Sequence, residues 1–400
     1  MLNEPIIRRF ENIVEKYPQN IALITKEINI SYRELNEKAN QLAYYIEKIE
    51  TSEKFSIGIY LQPSIDMIVS ILAVLKLGIP YVPLDPSYPE ERIKYIVNNS
   101  KISQILTSSN LTKKIQLNFV NKIFVDKIDY IDLKSNNLNK KLGEIVYILY
   151  TSGTTGNPKG VEVYQTGLSN YLSYSCDNYI INENNLNNPA SFIYLPLVFD
   201  ASITSLFSPL MVGRSIVIPS KRGIEIFDDE IIQNNSFDFV KMTPAHLLVL
   251  KERLDYQKIK NWTYNVVVGG EALLKEHVLW LKEIGFEWNI INEYGPTETV
   301  VGSSTFSFSL KDEIPDKIPI GKPIYNTQFY IVDKNLNILP ENEIGEIIIT
   351  GEGVSKGYLE NETLTKEKFI NNFLLKNNRA YRTGDLGYYK KTEIIIVKEE

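Results

Sequence analysis

The stretch Leu149–Gly160, LYTSGTTGNPKG, sets three glycines, four small hydroxyl side chains and one lysine directly behind an apolar run, Ile145–Tyr150. Gly153, Gly156 and Gly160 permit turns that aim consecutive backbone N–H groups at one point. Thr151, Ser152, Thr154 and Thr155 add hydroxyl donors and Lys159 a cation, a combination that suits a polyphosphate. No Ser or Thr follows the lysine, so this is not a Walker A loop, and the chain holds no G-x-G-x-x-G fingerprint. Taken alone, such a loop is equally well a flexible surface turn.

The elements on either side give the loop its place in the chain. Ser31–Glu34 has capping-box spacing ahead of a helical run through Leu35, Ala39, Leu42, Ala43 and Ile46. Phe55–Leu61 reads as a strand, Ser64–Gly78 as a buried helix ended by glycine, Pro89–Ser100 as a helix and Ile102–Ser108 as a strand, which is a βαβ rhythm. After the loop, strands near Ser215–Pro219, Phe239–Met242, Asn265–Val268 and Trp288–Ile291 alternate with helices near Ala201–Met211, Pro244–Leu254 and Glu271–Ile284, predicting a second parallel sheet. From Ser303 the pattern turns to short strands. The fold class expected is α/β: two packed α/β subdomains with mostly parallel sheets to about Gly302, and a smaller β-rich, distorted-barrel subdomain from Ser303 to about Gly387. The polar run Lys134–Lys141 reads as a solvated loop.

Composition narrows the function classes. A net charge of −6 with mixed signs argues against a general nucleic-acid or membrane-surface binder. Cys176 is the only cysteine, and with His246 and His277 the only histidines a Cys/His zinc site is excluded; both histidines read as structural or exposed. The start lacks a signal-peptide pattern, and Met67–Leu77 is too short to span a bilayer, so a cytoplasmic enzyme is the expectation. Abundant Lys, Asn, Ile and Tyr look like the codon bias of an A/T-rich genome.

Seven stretches in one order carry a resemblance: ISYREL (30–35), LKLGIPYVPLD (75–85), YTSGTTGNPKG (150–160), FDAS (199–202), NEYGPTE (292–298), GEIIITGEGVSKGYL (345–359) and YRTGDL (381–386). With these the chain resembles the adenylate-forming enzymes, and among them the amino-acid adenylation domains of nonribosomal peptide synthetases. That resemblance implies attack by an amino-acid carboxylate oxygen on the α-phosphorus of ATP, release of pyrophosphate, and loading of the acyl group onto the phosphopantetheine thiol of a carrier protein. It implies ATP and Mg²⁺ as cofactors, and phosphoryl chemistry of this kind needs alignment and charge neutralisation more than a covalent nucleophile.

Site residues follow from the same motifs. The loop Thr151, Ser152, Gly153, Thr154, Thr155, Gly156 and Lys159 is expected to hold the phosphates. Thr151 and Lys159, with Thr297 at the α-phosphate and Glu298 on Mg²⁺, are the expected catalytic set. Gly270, Glu271, Asn292, Tyr294, Gly295 and Asp385 are expected around the nucleotide, Tyr294 against adenine and Asp385 on the ribose hydroxyls. Singly, Tyr294 reads as a core aromatic, Glu298 as a helix-cap carboxylate and Asp385 as a turn residue; their place inside ordered motifs reverses that preference.

The positions lining the side-chain pocket in similar domains are here Asp200, Ala201, Thr204, Lys241, Val267, Gly269, Glu293, Val301 and Gly302. Asp200 should take the α-ammonium, leaving Lys241 to donate to an amide oxygen and Glu293 to accept from an amide NH₂, which points to L-asparagine. The competing account is a salt bridge between Lys241 and Glu293 alone; a buried pair lacking further partners is costly, so a polar ligand is expected to complete it. Two departures stand out. Gln165 occupies a position where the resemblance leads one to expect histidine, and Lys398 and Glu399 stand where a Gly-Arg hinge would open a mobile C-terminal subdomain with a catalytic lysine. Two alternatives stay open at this point: an acyl- or aryl-coenzyme A ligase, against which Asp200 speaks, and a catalytically impaired binding fragment.

Overall fold

The computed structural model describes residues 4–49, 55–112, 120–130, 142–152, 157–180, 188–253, 259, 262–374, 378–390 and 394–397. Three main sheets and one small one are found among these residues. In the first main sheet, Ser56–Tyr60 lies between Tyr81–Pro83 and Ile102–Thr107, with Ile145–Thr151 and Asn121–Phe124 outside them, all parallel. Lys159–Tyr164 then pairs antiparallel with Ile145–Thr151, opposing Lys159 to Thr151. The phosphate-type loop is thus the connection of a hairpin that leaves the sheet at its carboxyl edge.

Local signals explain the helices. The Ser31 and Glu34 side chains each accept from the other's backbone N–H, at 3.2 and 2.8 Å, so the capping box forms at the start of the helix Tyr32–Ile49. The helix Ile65–Lys76 is buried from Met67 onward, as its all-round apolar sequence requires, and Gly78 follows at φ 69°. His246 and His277 are structural. Each Nδ1 accepts a backbone N–H at a helix start, from Thr243 at 3.2 Å and Leu274 at 3.0 Å.

The second main sheet runs Phe237–Met242, Thr263–Gly269 and Asn289–Tyr294 in parallel, as the alternation predicts. Two expectations change. Ser304–Ser309 does not open the β-rich unit: the turn 295–303 folds it back antiparallel onto Asn289–Tyr294, and Lys322–Pro323 extends the same sheet. Ile216–Val217 lies in a small sheet with Ile21–Ile24, Asn29–Ser31 and Ser191–Phe192, not in the second main sheet. The third main sheet is antiparallel, from Thr327–Val332 through Gly345–Gly351 to Arg379–Lys390, which also pairs with Phe369–Asn371 and Ile394–Val397 and so carries the β structure past Gly387. The helix Gln165–Tyr179 crosses between the units: Leu168, Tyr171 and Leu172 join the first core, while Tyr179 packs with Phe239, Val267 and Ile291 of the second sheet. Lys134–Lys141 lies outside the described residues. No helix among those described is long and apolar enough to cross a membrane.

Candidate active site

The carboxyl ends of the second sheet open onto a cleft of about 420 Å³. Six residues expected around a nucleotide line it together: Gly270, Glu271, Asn292, Tyr294, Gly295 and Asp385. They come from two units, which meet where the Tyr294 hydroxyl donates to Asp385 Oδ2 at 2.5 Å. Burial holds the Tyr294 phenol well above its ordinary pKa, and the Asp385 charge adds to this, so Tyr294 stays a donor. Asn292 points its amide at the Pro319 carbonyl, 2.7 Å away, and so fixes the cleft wall.

Asp385 reaches the cleft because its strand bulges. Between the pairs Glu346–Leu386 and Ile348–Arg382 the strand Arg379–Lys390 spends two residues more than its partner, which pushes Thr383–Asp385 out of the ladder. Glu346 braces this bulge, accepting from Arg382 Nη2 at 2.6 Å and from the Gly384 N–H at 3.2 Å. Gly384 has φ 82°, a conformation suited to glycine.

Glu298 lies on the short helical turn Thr297–Thr299 and is buried. Its Oε1 accepts from the Tyr358 hydroxyl at 2.7 Å, and the Tyr381 hydroxyl lies 3.4 Å from that of Tyr358. Lys159 Nζ stands 4.7 Å over the Tyr358 ring, so the structure brings Lys159, Thr151 and Glu298 to one region. The Thr151 hydroxyl is buried at the root of the loop and has no partner among the described residues. Ser152 is exposed beside it; Gly153, Thr154, Thr155 and Gly156 lie outside the described residues. Gln165 starts the helix Gln165–Tyr179, its N–H donating to the Glu144 carbonyl at 2.8 Å and its Nε2 buried with no partner among the described residues.

Thr297 joins this region to the amino-acid positions, because it lies beside Asp200 and favours that residue's charged form. Burial pushes the Asp200 carboxyl up to about 6; Thr297, Lys241 and the Ala201 N–H oppose the rise and Glu293 adds to it. Lys241, Val267, Gly269 and Glu293 share one face of the second sheet through the registers Lys241–Val267 and Gly269–Glu293. Lys241 and Glu293 form a direct ion pair, each side chain 2% exposed. The expectation that a ligand must complete this pair is corrected here: Glu293 Oε2 already accepts from Tyr179 at 2.5 Å and Tyr171 at 3.0 Å, and Tyr171 contacts Thr204. Glu293 also borders the cleft lined by Tyr294 and Asp385.

Gly302 faces Glu293 so closely that a Cβ would lie 2.5 Å from its Cδ. Val300 and Val301, at φ 63° and 61°, precede it. Left-handed conformations cost a β-branched residue on the order of 1–3 kcal/mol each, and strain of this kind clusters at functional sites. The sequence reading missed Tyr171, Tyr179, Tyr358, Tyr381 and Glu346. The available signal was that buried carboxylates need donors, and in a chain with 25 tyrosines and 2 histidines the phenols are the abundant ones.

Comparison with known proteins agrees with this geometry. The AMP-binding enzyme family matches residues 10–359. Bacitracin synthase 3 of Bacillus licheniformis is 37% identical over 96% of this chain, and gramicidin S synthase 1 of Brevibacillus brevis 35% identical over 96%. The chain spans only 6% and 34% of those two proteins. Among solved structures, holo-AB3403, a four-domain nonribosomal peptide synthetase bound to AMP and glycine, superposes with a TM-score of 0.85 at 26% identity, covering 99% of this chain and 29% of that one. With a cleft at the sheet's carboxyl end and a family match over most of its length, the chain belongs to the AMP-binding enzymes and is related to the adenylation regions of nonribosomal peptide synthetases.

Proposed function

We propose that the chain activates an amino acid, L-asparagine, with ATP: a substrate carboxylate oxygen bonds to the α-phosphorus, the bond to the bridging oxygen breaks, and pyrophosphate leaves. The observation that carries this is the place of Asp200 beside Thr297, which directly follows the cleft-lining residues Gly295 and Pro296. It sets a carboxylate suited to an α-ammonium beside the turn that borders the nucleotide cleft, so a bound amino acid would present its own carboxylate there. Tyr294 and Asp385 fix base and ribose, Thr151, Lys159 and the rest of the hairpin loop hold the phosphates, and Thr297 meets the α-phosphate. Alignment of this kind removes much of the entropic barrier.

Mg²⁺ fits the donor set. No group of three or more His, Cys, Asp or Glu able to cage a metal exists among the described residues, and Mg²⁺ is usually bound through one or two carboxylates together with phosphate oxygens. Glu298 would supply the carboxylate, and the ion would neutralise charge on the phosphates. Tyr358 keeps Glu298 in place.

Asparagine follows from Lys241 and Glu293 as a donor–acceptor pair beside the Asp200 region. Acceptance of the acyl group by a phosphopantetheine thiol is supported by a separate cleft of about 430 Å³, with Leu61, Leu84, Tyr194 and Val198 in its apolar wall and Lys221 and Arg222 at its rim. A largely apolar cleft that also holds Lys221 and Arg222 suits a flexible arm carrying a phosphate, and Val198 of its wall lies two residues from Asp200. Pyrophosphate exchange across the twenty amino acids tests the proposal: asparagine should give the highest signal, and preference for an aromatic or aliphatic amino acid would refute the pocket assignment.

A further inference from the structure

Glu293 brings four acceptor positions into the core, two on each carboxylate oxygen. Lys241 takes one on Oε1, and the phenols of Tyr179 and Tyr171 fill both on Oε2. A phenol has one proton. Having given it to Glu293, Tyr171 can only accept from Thr204 across their 2.5 Å contact, so the donor order runs Thr204 to Tyr171 to Glu293. Burial, and then the nearby Glu293 charge, keep both phenols protonated.

The framework around the two phenols is rigid. Both belong to the helix Gln165–Tyr179; the Tyr179 ring lies 6.1 Å from that of Phe239, and the Tyr179 carbonyl accepts from Asn265 Nδ2 at 3.0 Å. Gly302 closes the opposite side, where even a methyl group would collide with the Glu293 carboxylate.

We propose that Tyr171 and Tyr179 are positioning residues for substrate selection: by filling Oε2 they leave the ligand a single acceptor position, on Oε1, beside the remaining donors of Lys241 Nζ. The proposal rests on the reading of this pair as the side-chain pocket. An acceptor flanked by donors matches a primary amide, whose oxygen accepts from Nζ while its NH₂ donates to Oε1. A side-chain carboxylate has no proton for Oε1 and meets it with like charge. When a phenol donor is missing, the carboxylate of Glu293 can turn, its charge can move off the ligand, and the discrimination weakens.

The test uses Tyr171→Phe, Tyr179→Phe and the double variant, each keeping the ring. Calorimetry on the full chain, with the non-hydrolysable analogue AMPPNP bound, measures asparagine and aspartate affinity, and AMPPNP affinity is measured alongside. A hydrogen bond to a charged group corresponds to roughly a tenfold effect or more, so each substitution should cut the preference for asparagine over aspartate about tenfold and leave AMPPNP affinity unchanged. In a Glu293→Gln background the same substitutions should leave the preference where it is, because the effect passes through Glu293. Equal loss of both amino acids, as a purely structural role would give, overturns the proposal, and so does a shift that persists in Glu293→Gln. Should the unaltered chain prefer a different amino acid, the asparagine reading falls by itself. The tyrosine proposal then stands or falls on whether that preference moves in the Phe variants but not in the Glu293→Gln background.

Discussion

Replacing Asp200 by asparagine is expected to stabilise the empty protein while disabling it. The Asp200 carboxyl has its pKa pushed from 3.8 to about 6, chiefly by burial. A carboxyl that holds its proton more tightly folded than unfolded contributes stability that is full below the unfolded value and is lost as pH rises through the folded one. At pH 8 the ionised group therefore costs up to about 3 kcal/mol, from a rise of roughly two pH units at about 1.36 kcal/mol each, and at pH 5 about half of that. Asparagine has the same shape, keeps a side-chain oxygen and carries no charge, so it should recover this cost. For a chain of 400 residues that is a rise in Tm of roughly 3–4 °C at pH 8. The same change removes the partner for the substrate ammonium. Breaking a buried ion pair costs on the order of 3–5 kcal/mol, so amino-acid affinity should fall about a hundredfold or more. In the unaltered protein that affinity should drop as pH is lowered through about 6, the value at which Asp200 takes up its proton. Thermal melts at pH 5 and pH 8, with and without AMPPNP and asparagine, read all three effects. A lower Tm for the empty variant at pH 8, or a gain of equal size at both pH values, would show that Asp200 is a paired structural carboxylate and not a waiting ligand site.

Asp385→Ala should weaken AMPPNP binding about 10- to 100-fold, the worth of hydrogen bonds to a charged group, while leaving the ranking of amino acids unchanged; unaltered nucleotide affinity in calorimetry would remove Asp385 from the ribose site. Gly302→Ala should abolish amino-acid binding with little effect on AMPPNP, since its Cβ would displace the Glu293 carboxylate; normal amino-acid affinity would mean that Glu293 is not part of the pocket. Glu298→Gln retains an oxygen for the Tyr358 hydroxyl and loses the charge. AMPPNP affinity in that variant should no longer respond to Mg²⁺, and a full response to the ion would reassign the metal position.

What the sequence made legible follows from the range of the forces involved. The parallel strands Phe237–Met242, Thr263–Gly269 and Asn289–Tyr294 each carry their own apolar run, and the capping box at Ser31 is complete within four residues, so local pattern is enough to find them. Ser304–Ser309 looks, in isolation, like the start of a β-rich unit. Its membership of the second sheet depends on the turn at 295–303, where Gly295 and Gly302 meet so closely that a Cβ on Gly295 would lie 2.8 Å from the Gly302 Cα, and where Val300 and Val301 are held in strained backbone. No periodicity records that approach. The residues expected around a nucleotide each sit inside a motif or directly after a strand, and the structure gathers six of them in one cleft.

The donors behind the acids were not readable for a different reason. Tyr171 and Tyr179 are separated from Glu293 by 122 and 114 residues, and on the helix Gln165–Tyr179 they look like ordinary core aromatics. Their polar role exists only where the helix crosses the second sheet. Pairing in the folded chain thus changes the meaning of the charges themselves. Lys241 and Glu293, two separate charges in the sequence, become a neutral unit with one oxygen already occupied, while Asp200, which forms no ion pair among the described residues, keeps a raised proton affinity. In the proposed reading, selectivity for a side chain then rests on the neutral unit, and the demand for an ammonium rests on a carboxylate that burial leaves without an ion pair among the described residues.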